Sequence, residues 1–406
     1  MVRYFCFLLL CIVFFSLQGC GPEPVKPLPV DDKPGFVALD EGDAESLARS
    51  LSTRLQGLGS WTDLAPGLEK NLRYLRTRPQ DAVCVSKPGL ALTWGQVTQS
   101  VEELLGMLGE LQANPRLVAE RFQWLKVSPG TLLTGYYEPW LEASLSPDEG
   151  FKYPLYEKPD DLKQVNLGAF HPRWKGQTLV YKEGKDGIEP YYDRRAIDGS
   201  RVLEGKGKEI AWAKDPVDVF FLQIQGSGRL DLQDGTYKHI LYAGKNGHRY
   251  VSLGKLLIER GYIPKEEMSM QRIRTFLEAN PDIARELLFE NPSYVFFKLA
   301  DDGPYGSIGS ILIPRVSVAV DRSMIPLGSV SVLKTALMNY ETGETDPFLS
   351  LVLAQDTGGA IQGTRMDLFC GTGVQAETLA GHLQEDSEVF MLVSKKALET
   401  TVSQLK

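Results

Sequence analysis

Histidine is scarce in this chain, with four in 406 residues. None is spaced with Cys, Asp or Glu in a metal-binding pattern, so no metal or other cofactor is expected. No Ser-His-Asp or Cys-His signature is visible, which leaves carboxylates to carry any chemistry. Cysteine is also rare. Of five, Cys6 and Cys11 lie in the first apolar run and Cys20 directly behind it, leaving Cys84 and Cys370 for the folded part. In an oxidising compartment those two either pair or stay thiols, and their spacing does not decide between the two. A basic excess is missing as well. The 44 Lys and Arg face 52 Asp and Glu, a net charge of −8. That argues against a nucleic-acid partner, because phosphate binding wants a basic stripe. After Leu17 no apolar run reaches the ~20 residues needed to cross a bilayer. No internal repeat is visible.

The N-terminus points to a compartment. Met1-Val-Arg3 supplies one positive charge, and Tyr4 to Leu17 is almost unbroken apolar sequence. Residues 1–19 read as a signal peptide. Leu17-Gln18-Gly19-Cys20 resembles the lipobox of bacterial lipoproteins, in which Cys20 is lipidated and becomes the mature N-terminus. Gln18 departs from the small residue usual there, and ordinary secretion without a lipid is the alternative. Residues 20–35 are dense in proline, which favours extended polyproline geometry and makes a tether. Lipid on one cysteine would give a peripheral membrane anchor. Gly21, not Asp, follows Cys20. In enteric bacteria that favours the outer membrane, so the expected address is its periplasmic face.

About 370 residues remain for the folded part, enough for two domains. Apolar content of 43% and charged content of 24% suit a globular protein with a sizeable core. Leucine spacing predicts helices over 44–56 and 67–76. Thr93 with Gln96 resembles a capping box opening a helix whose apolar face is Val97, Val101, Leu104, Leu105 and Leu108. A short helix is expected over 116–124. From Gly130 the texture changes to short β-rich runs between turns: 132–137, 178–181, 217–225, 239–243, 294–298, 316–320, 329–333, 349–354 and 389–393. Helices over 253–260 and 264–278 interrupt them.

The most informative stretch is Asp356-Thr-Gly-Gly-Ala-Ile-Gln-Gly-Thr-Arg-Met-Asp367. It follows an apolar strand and holds two carboxylates in a loop whose glycines allow tight turning and close approach to a ligand. An acid at the floor of a cleft has its pKa raised by burial and is suited to donate a proton. The plain alternative is a hairpin whose aspartates cap turns. Other polar segments accompany it. Thr134-Gly-Tyr136-Tyr137 places two tyrosines at a strand end. In Gln223-Ile-Gln225-Gly226-Ser227, period two would put both glutamines on one strand face. Tyr242-Ala-Gly-Lys245-Asn246-Gly is dense in hydrogen-bonding groups. Singly, each also reads as an ordinary strand or turn.

These segments, with Asn291-Pro-Ser-Tyr-Val-Phe-Phe, occur together in one order. In that order they resemble the membrane-bound lytic murein transglycosylase A family, a bacterial lipoprotein family. The likeness covers about residues 90–395 and includes its three-aspartate module, here Asp321, Asp356 and Asp367. Gln362 stands where the family commonly has lysine. The resemblance implies a mainly β fold: a double-psi β-barrel with N-terminal helices and a smaller inserted β-barrel domain, with a glycan groove between them. Its parts would be 36–137, an insert over 138–290, and 291–406. It implies an exolytic carbohydrate lyase with Asp367 as the catalytic acid–base and Asp356 orienting it or stabilising charge at C1. Substrate contacts would come from Thr134, Tyr136, Tyr137, Gln223, Gln225, Gly226, Ser227, Lys245, Asn246, Asp321 and Gly359. The implied partners are peptidoglycan glycan strands and, through the anchor, a membrane, with divisome or cell-wall synthesis proteins as further candidates.

An ordinary glycosidase needs two carboxylates. One suffices if the sugar's own C6 hydroxyl attacks C1, giving a 1,6-anhydromuramoyl end. Like charge from Asp356 would add to burial in raising the Asp367 pKa. A hydrolase on the same barrel, with Asp356 or Asp321 as base, and a non-catalytic murein-binding lipoprotein are the rival readings.

Overall fold

Capping chemistry sets the first long helix. Gln96 N donates to the Thr93 hydroxyl and Thr93 N donates to Gln96 Oε1 (2.9 Å), opening helix Trp94–Leu111. Its Val97, Val101, Leu104 and Leu108 are buried, as are Leu68, Leu72 and Leu75 of helix Ala65–Arg76. The computed structural model describes residues 33–339 and 342–404. The expected signal peptide, Cys20 and most of the 20–35 tether lie outside the described residues.

Two helical expectations are shortened. The 44–56 helix ends at Arg49, after which only a single turn, Arg54–Gln56, forms. The Ser52 hydroxyl accepts from Arg54 N (3.2 Å), a local bond that competes with helix continuation. The 116–124 helix covers only Leu117–Arg121, because Phe122–Ser128 is drawn into a sheet beside Gln384–Ser394.

Six strands close a barrel in the order Gln384–Ser394, Val330–Met338, Thr345–Asp356, Ser317–Val320, Met366–Thr372 and Thr131–Glu138, which returns to Gln384–Ser394. Two neighbouring pairs are parallel: 317–320 with 345–356, and 366–372 with 131–138. Leu133, Val332, Leu351, Leu353, Leu368 and Val389 are fully buried in its core, against which the N-terminal helices also pack. Gly135, between Thr134 and Tyr136, is forced by a close approach. A Cβ there would sit 2.9 Å from Ala380 Cα on helix Val374–His382 and 2.9 Å from Cys370 Sγ.

A second sheet runs Val295–Ala300, Tyr237–Lys245, Gly228–Leu232, Trp140–Ser144, Glu209–Ala213, Tyr153–Tyr156. A bridge between Glu157 and Phe297 nearly closes it into another barrel. Strand 295–300 belongs here, past the expected boundary at 290, because it pairs with 237–245 along its length. A small third sheet, Lys163–Asn166, Thr178–Gly184 and Gly187–Pro190, lies at the surface.

The run 217–225 is a helix, Pro216–Gln225, not the expected strand. Asp215 accepts from Val217 N (2.7 Å), Pro216 occupies the first turn, and Gly226 ends the helix at φ 82°. These start and stop signals outweigh the β-prone run Val-Phe-Phe-Leu-Gln-Ile. Gln223 and Gln225 therefore do not share a face. The expected 264–278 helix likewise splits. A turn over Lys265–Glu267 precedes helix Met270–Ala279, whose cap is Ser269, accepting from Arg272 N at 3.1 Å.

Candidate active site

Four adjacent barrel strands bring the acids into one row. Asp356 is in register with Ala319, Ala319 with Asp367, and Asp367 with Thr134. Residues in register across a sheet share a face. The two aspartates are thus separated by one strand, roughly 9–10 Å between backbones. Ala319 between them leaves their side chains room.

Asp367 is held from the next strand: Thr134 Oγ1 donates to its Oδ1 at 2.7 Å. Arg365 Nη2 donates in turn to Thr134 Oγ1 at 3.4 Å. Burial pushes the Asp367 carboxyl up to about 6, against the Thr134 bond and the Arg365 charge, with a further upward push from Asp356. Burial is the larger cause, and on the neighbouring strand the Tyr136 ring packs on Phe369 at 5.3 Å.

Asp356 is bound by more donors. Its Oδ1 accepts from Ser307 N (3.0 Å), Ser307 Oγ (2.8 Å) and Thr357 N (2.8 Å), and its Oδ2 from Tyr136 OH (3.0 Å). Burial still raises it above the ordinary carboxylate value, against those four donors. Tyr136 and Thr134 alternate by two along strand 131–138, so both serve the same row.

The third aspartate does different work. Asp321 accepts from Ser323 N and Gly363 N, each at 2.8 Å, and ties the 357–365 loop to the barrel. Burial opposes its charge, but these amides hold its pKa below the ordinary value.

Other expected contacts divide. Gln225 Oε1 accepts from Tyr137 N (3.1 Å), joining helix 216–225 to the strand beside the site. Gln223 is buried with neither amide atom hydrogen-bonded. Tyr137 is buried on the face opposite Tyr136. Asn246 is a buried tie rather than an open contact: it donates to the carbonyls of Tyr192 and Pro292 and accepts from Tyr294 N. Gly226 is the helix cap beside half-buried Ser227, while Lys245 and Gly359 are exposed. Cys84 and Cys370 are not joined by a disulfide. Among the described residues no group of three His, Cys, Asp or Glu side chains is placed to hold a metal ion.

Sequence reasoning missed Ser307, Arg365 and Glu138. Glu138 ends strand 131–138, almost fully buried, and its carboxylate accepts from Arg229 Nε (3.0 Å) and meets His239 Nδ1 (2.7 Å), both on the second sheet. Its position directly after Tyr136-Tyr137 was the available signal.

Residues 132–298 match the MltA specific insert domain and residues 316–393 the 3D domain. A membrane-bound lytic murein transglycosylase A from Vibrio cholerae is 37% identical over 265 residues, 64% of this chain and 65% of that protein. The matched stretch thus spans just under two-thirds of that relative's length. The crystal structure of a membrane-bound lytic murein transglycosylase from Agrobacterium tumefaciens superimposes with a TM-score of 0.74 at 31% identity, covering 91% of this chain and 99% of that one. The chain belongs to the membrane-bound lytic murein transglycosylase A family. Escherichia coli MltA with bound chitohexaose is a further member with this fold, at TM-score 0.61 and 28% identity over 82% of this chain and 90% of that one. In this member of the transglycosylase A family, the row Asp356–Ala319–Asp367–Thr134 lies where the insert and 3D regions join, since Thr134 falls in the first and the other three in the second.

Proposed function

We propose that this chain is a murein-degrading lytic transglycosylase. It cleaves the β-1,4 bond between N-acetylmuramic acid and N-acetylglucosamine without water. The observation that carries this reading is Asp367, a carboxyl lifted to about 6 chiefly by burial and oriented by Thr134. A group titrating near neutrality can give a proton and take one back within a single turnover.

Protonated Asp367 gives its proton to the bridging oxygen as the C1–O bond breaks. The muramoyl O6 then bonds to C1 and its proton returns to Asp367. No net proton is consumed, and the product is a 1,6-anhydromuramoyl end. Asp356, fixed by Ser307, Thr357 and Tyr136, supplies negative charge against the positive charge developing at C1. Exposed Lys245 and Gly359, with half-buried Ser227, would make further contacts with the glycan. The chitohexaose complex of the E. coli relative supports a β-1,4-linked aminosugar chain as the ligand here. The relatives named membrane-bound support membrane association. The lipobox-like run 17–20 and the proline-rich stretch behind it support a lipid on Cys20 as the anchor, at the periplasmic face of the outer membrane.

Mass analysis of soluble fragments released from purified murein tests the reading. Anhydro ends, one water lighter than reducing ends, are expected. Reducing ends would make the protein a hydrolase, and no release would make it a binding protein.

A further inference from the structure

Helix 65–76 has two working faces. On one, Leu68, Leu72 and Leu75 enter the barrel core. On the same side Gln355 Nε2 donates to Asn71 Oδ1 (2.7 Å) and to Gly67 O (3.3 Å). Gln355 directly precedes Asp356, so this helix is fixed to the strand that carries the site. The other face shows Lys70, Arg73, Tyr74 and Thr77, at i, i+3, i+4 and i+7. With Ile308 and Gly309 they line an open pocket of about 380 Å³.

The far wall of that pocket is the loop that holds Asp356. Ser307 donates to Asp356 twice, while Ile308 N donates to Gln355 O at 3.3 Å. Gly306 lies so close that a Cβ on it would stand 2.5 Å from Gln355 O. The pocket therefore begins one residue, about 3.8 Å of backbone, from a direct ligand of Asp356.

Its charge runs against that of the whole protein, which is −8. Neighbouring Arg76 is paired with Glu102, and Arg78 lies 4.3 Å over the Tyr74 ring. Lys70 and Arg73 have no ion-pair partner among the described residues, and Glu69, one turn before Arg73, forms none with it. A single exposed cation on a helix is ordinary. Two without partners, in a concavity whose walls are tied to the core, raise the local concentration of anions.

We propose that this pocket binds carboxylates of the peptide carried on murein's muramoyl lactyl groups. The inference rests on the murein reading above. Murein is a glycan whose sugars bear acidic peptide branches, and the pocket opens one residue from Ser307, a direct donor to Asp356 in the row of acids. Lys70 offers a compact charge and Arg73 a planar fork, both matched to carboxylates.

The test is the double variant Lys70→Gln with Arg73→Gln, with folding checked by circular dichroism. Its kinetics are compared on peptide-bearing murein and on the same murein stripped of peptide by an amidase. A soluble murein tetrapeptide is titrated into both proteins by calorimetry. For peptide-bearing murein KM rises about fivefold with kcat unchanged, as loss of uniform binding requires. Turnover of stripped murein is unchanged. Tetrapeptide binding to the parent protein weakens with salt and is lost in the variant, and Lys70→Arg retains it. Unchanged KM on peptide-bearing murein, or equal loss on both substrates, overturns the proposal. Calorimetry separates the two readings. Tetrapeptide binding that is lost in the variant, in a protein that cleaves no murein, would sink the transglycosylase and keep the pocket. Murein cleavage without tetrapeptide binding would sink the pocket alone.

Discussion

Asp356 and Asp367 stand on either side of Ala319, each in cross-strand register with it. They are therefore neighbours in a row but not a hydrogen-bonded pair sharing one proton. Each carboxyl answers first to its own surroundings. Asp367 has one donor, Thr134, and Asp356 has four. The poorly solvated, sparsely bonded acid is the one suited to exchange protons, and the richly bonded one is suited to stay put.

Asp367→Asn keeps the shape but cannot exchange a proton. General acid–base work supplies ~10²–10⁴-fold in rate, so release of anhydromuropeptides should fall by at least that factor. Asp356→Asn should be less impaired, and glycan binding should survive in both. Near-normal release by the Asp367 variant would shift the acid–base role to Asp356.

The pH dependence has a definite sign. Burial raises the folded Asp367 carboxyl from 3.8 to about 6. Between those values the folded state holds the proton more tightly than the unfolded state, so stability declines as pH rises through the window. The cost is absent below about 3.8 and complete above about 6. The Tm advantage of Asp367→Asn should accordingly be larger at neutral pH than at pH 4, which calorimetric scans at the two pH values measure. Activity of the parent protein should fall above about pH 6 as the acid form is lost.

Glu138→Ala should be strongly destabilising. It removes the buried carboxylate that meets both Arg229 and His239. Breaking a buried ion pair by deleting one partner costs ~3–5 kcal/mol, read as a shift in urea midpoint at constant m-value. A midpoint within error of the parent would mean that the cluster is solvated.

The two glutamines of helix 216–225 should behave differently. Gln225→Ala removes the acceptor for Tyr137 N and should cost ~1 kcal/mol. Gln223→Leu removes two buried polar atoms that have no protein partner, so the fold should keep or gain stability. A drop in glycan turnover by the folded Gln223→Leu variant would assign that amide to the substrate.

Cys20→Ala should leave the protein soluble or unprocessed, because a proline-rich tether has no apolar surface to hold a membrane. Retention in the membrane fraction after a salt wash would refute lipid anchoring.

What could be read in the chain follows how local the determining forces are. The Thr93–Gln96 cap and the 389–393 strand were legible, since a few adjacent residues decide each. The run 217–225 misled because its side chains favour a strand while Asp215, Pro216 and Gly226 impose a helix. Both acids were visible in one glycine-rich stretch. Their supports were not. Ser307 lies 49 residues before Asp356, and Thr134 lies 233 before Asp367, distances that only barrel closure spans. Asn246 looked like an open contact because a buried amide and an exposed one are the same letter.

Strand 131–138 begins in the row of acids and ends at Glu138, locked to the second sheet by Arg229 and His239. The second barrel is therefore not an appendage that can be cut away. Removing 139–300 to obtain a minimal catalyst would strip Glu138 of both Arg229 and His239 and leave a carboxyl without its partners at the end of the strand that orients Asp367 through Thr134. Trimming for size should start instead at the small surface sheet over 163–190, whose strands pair only with one another.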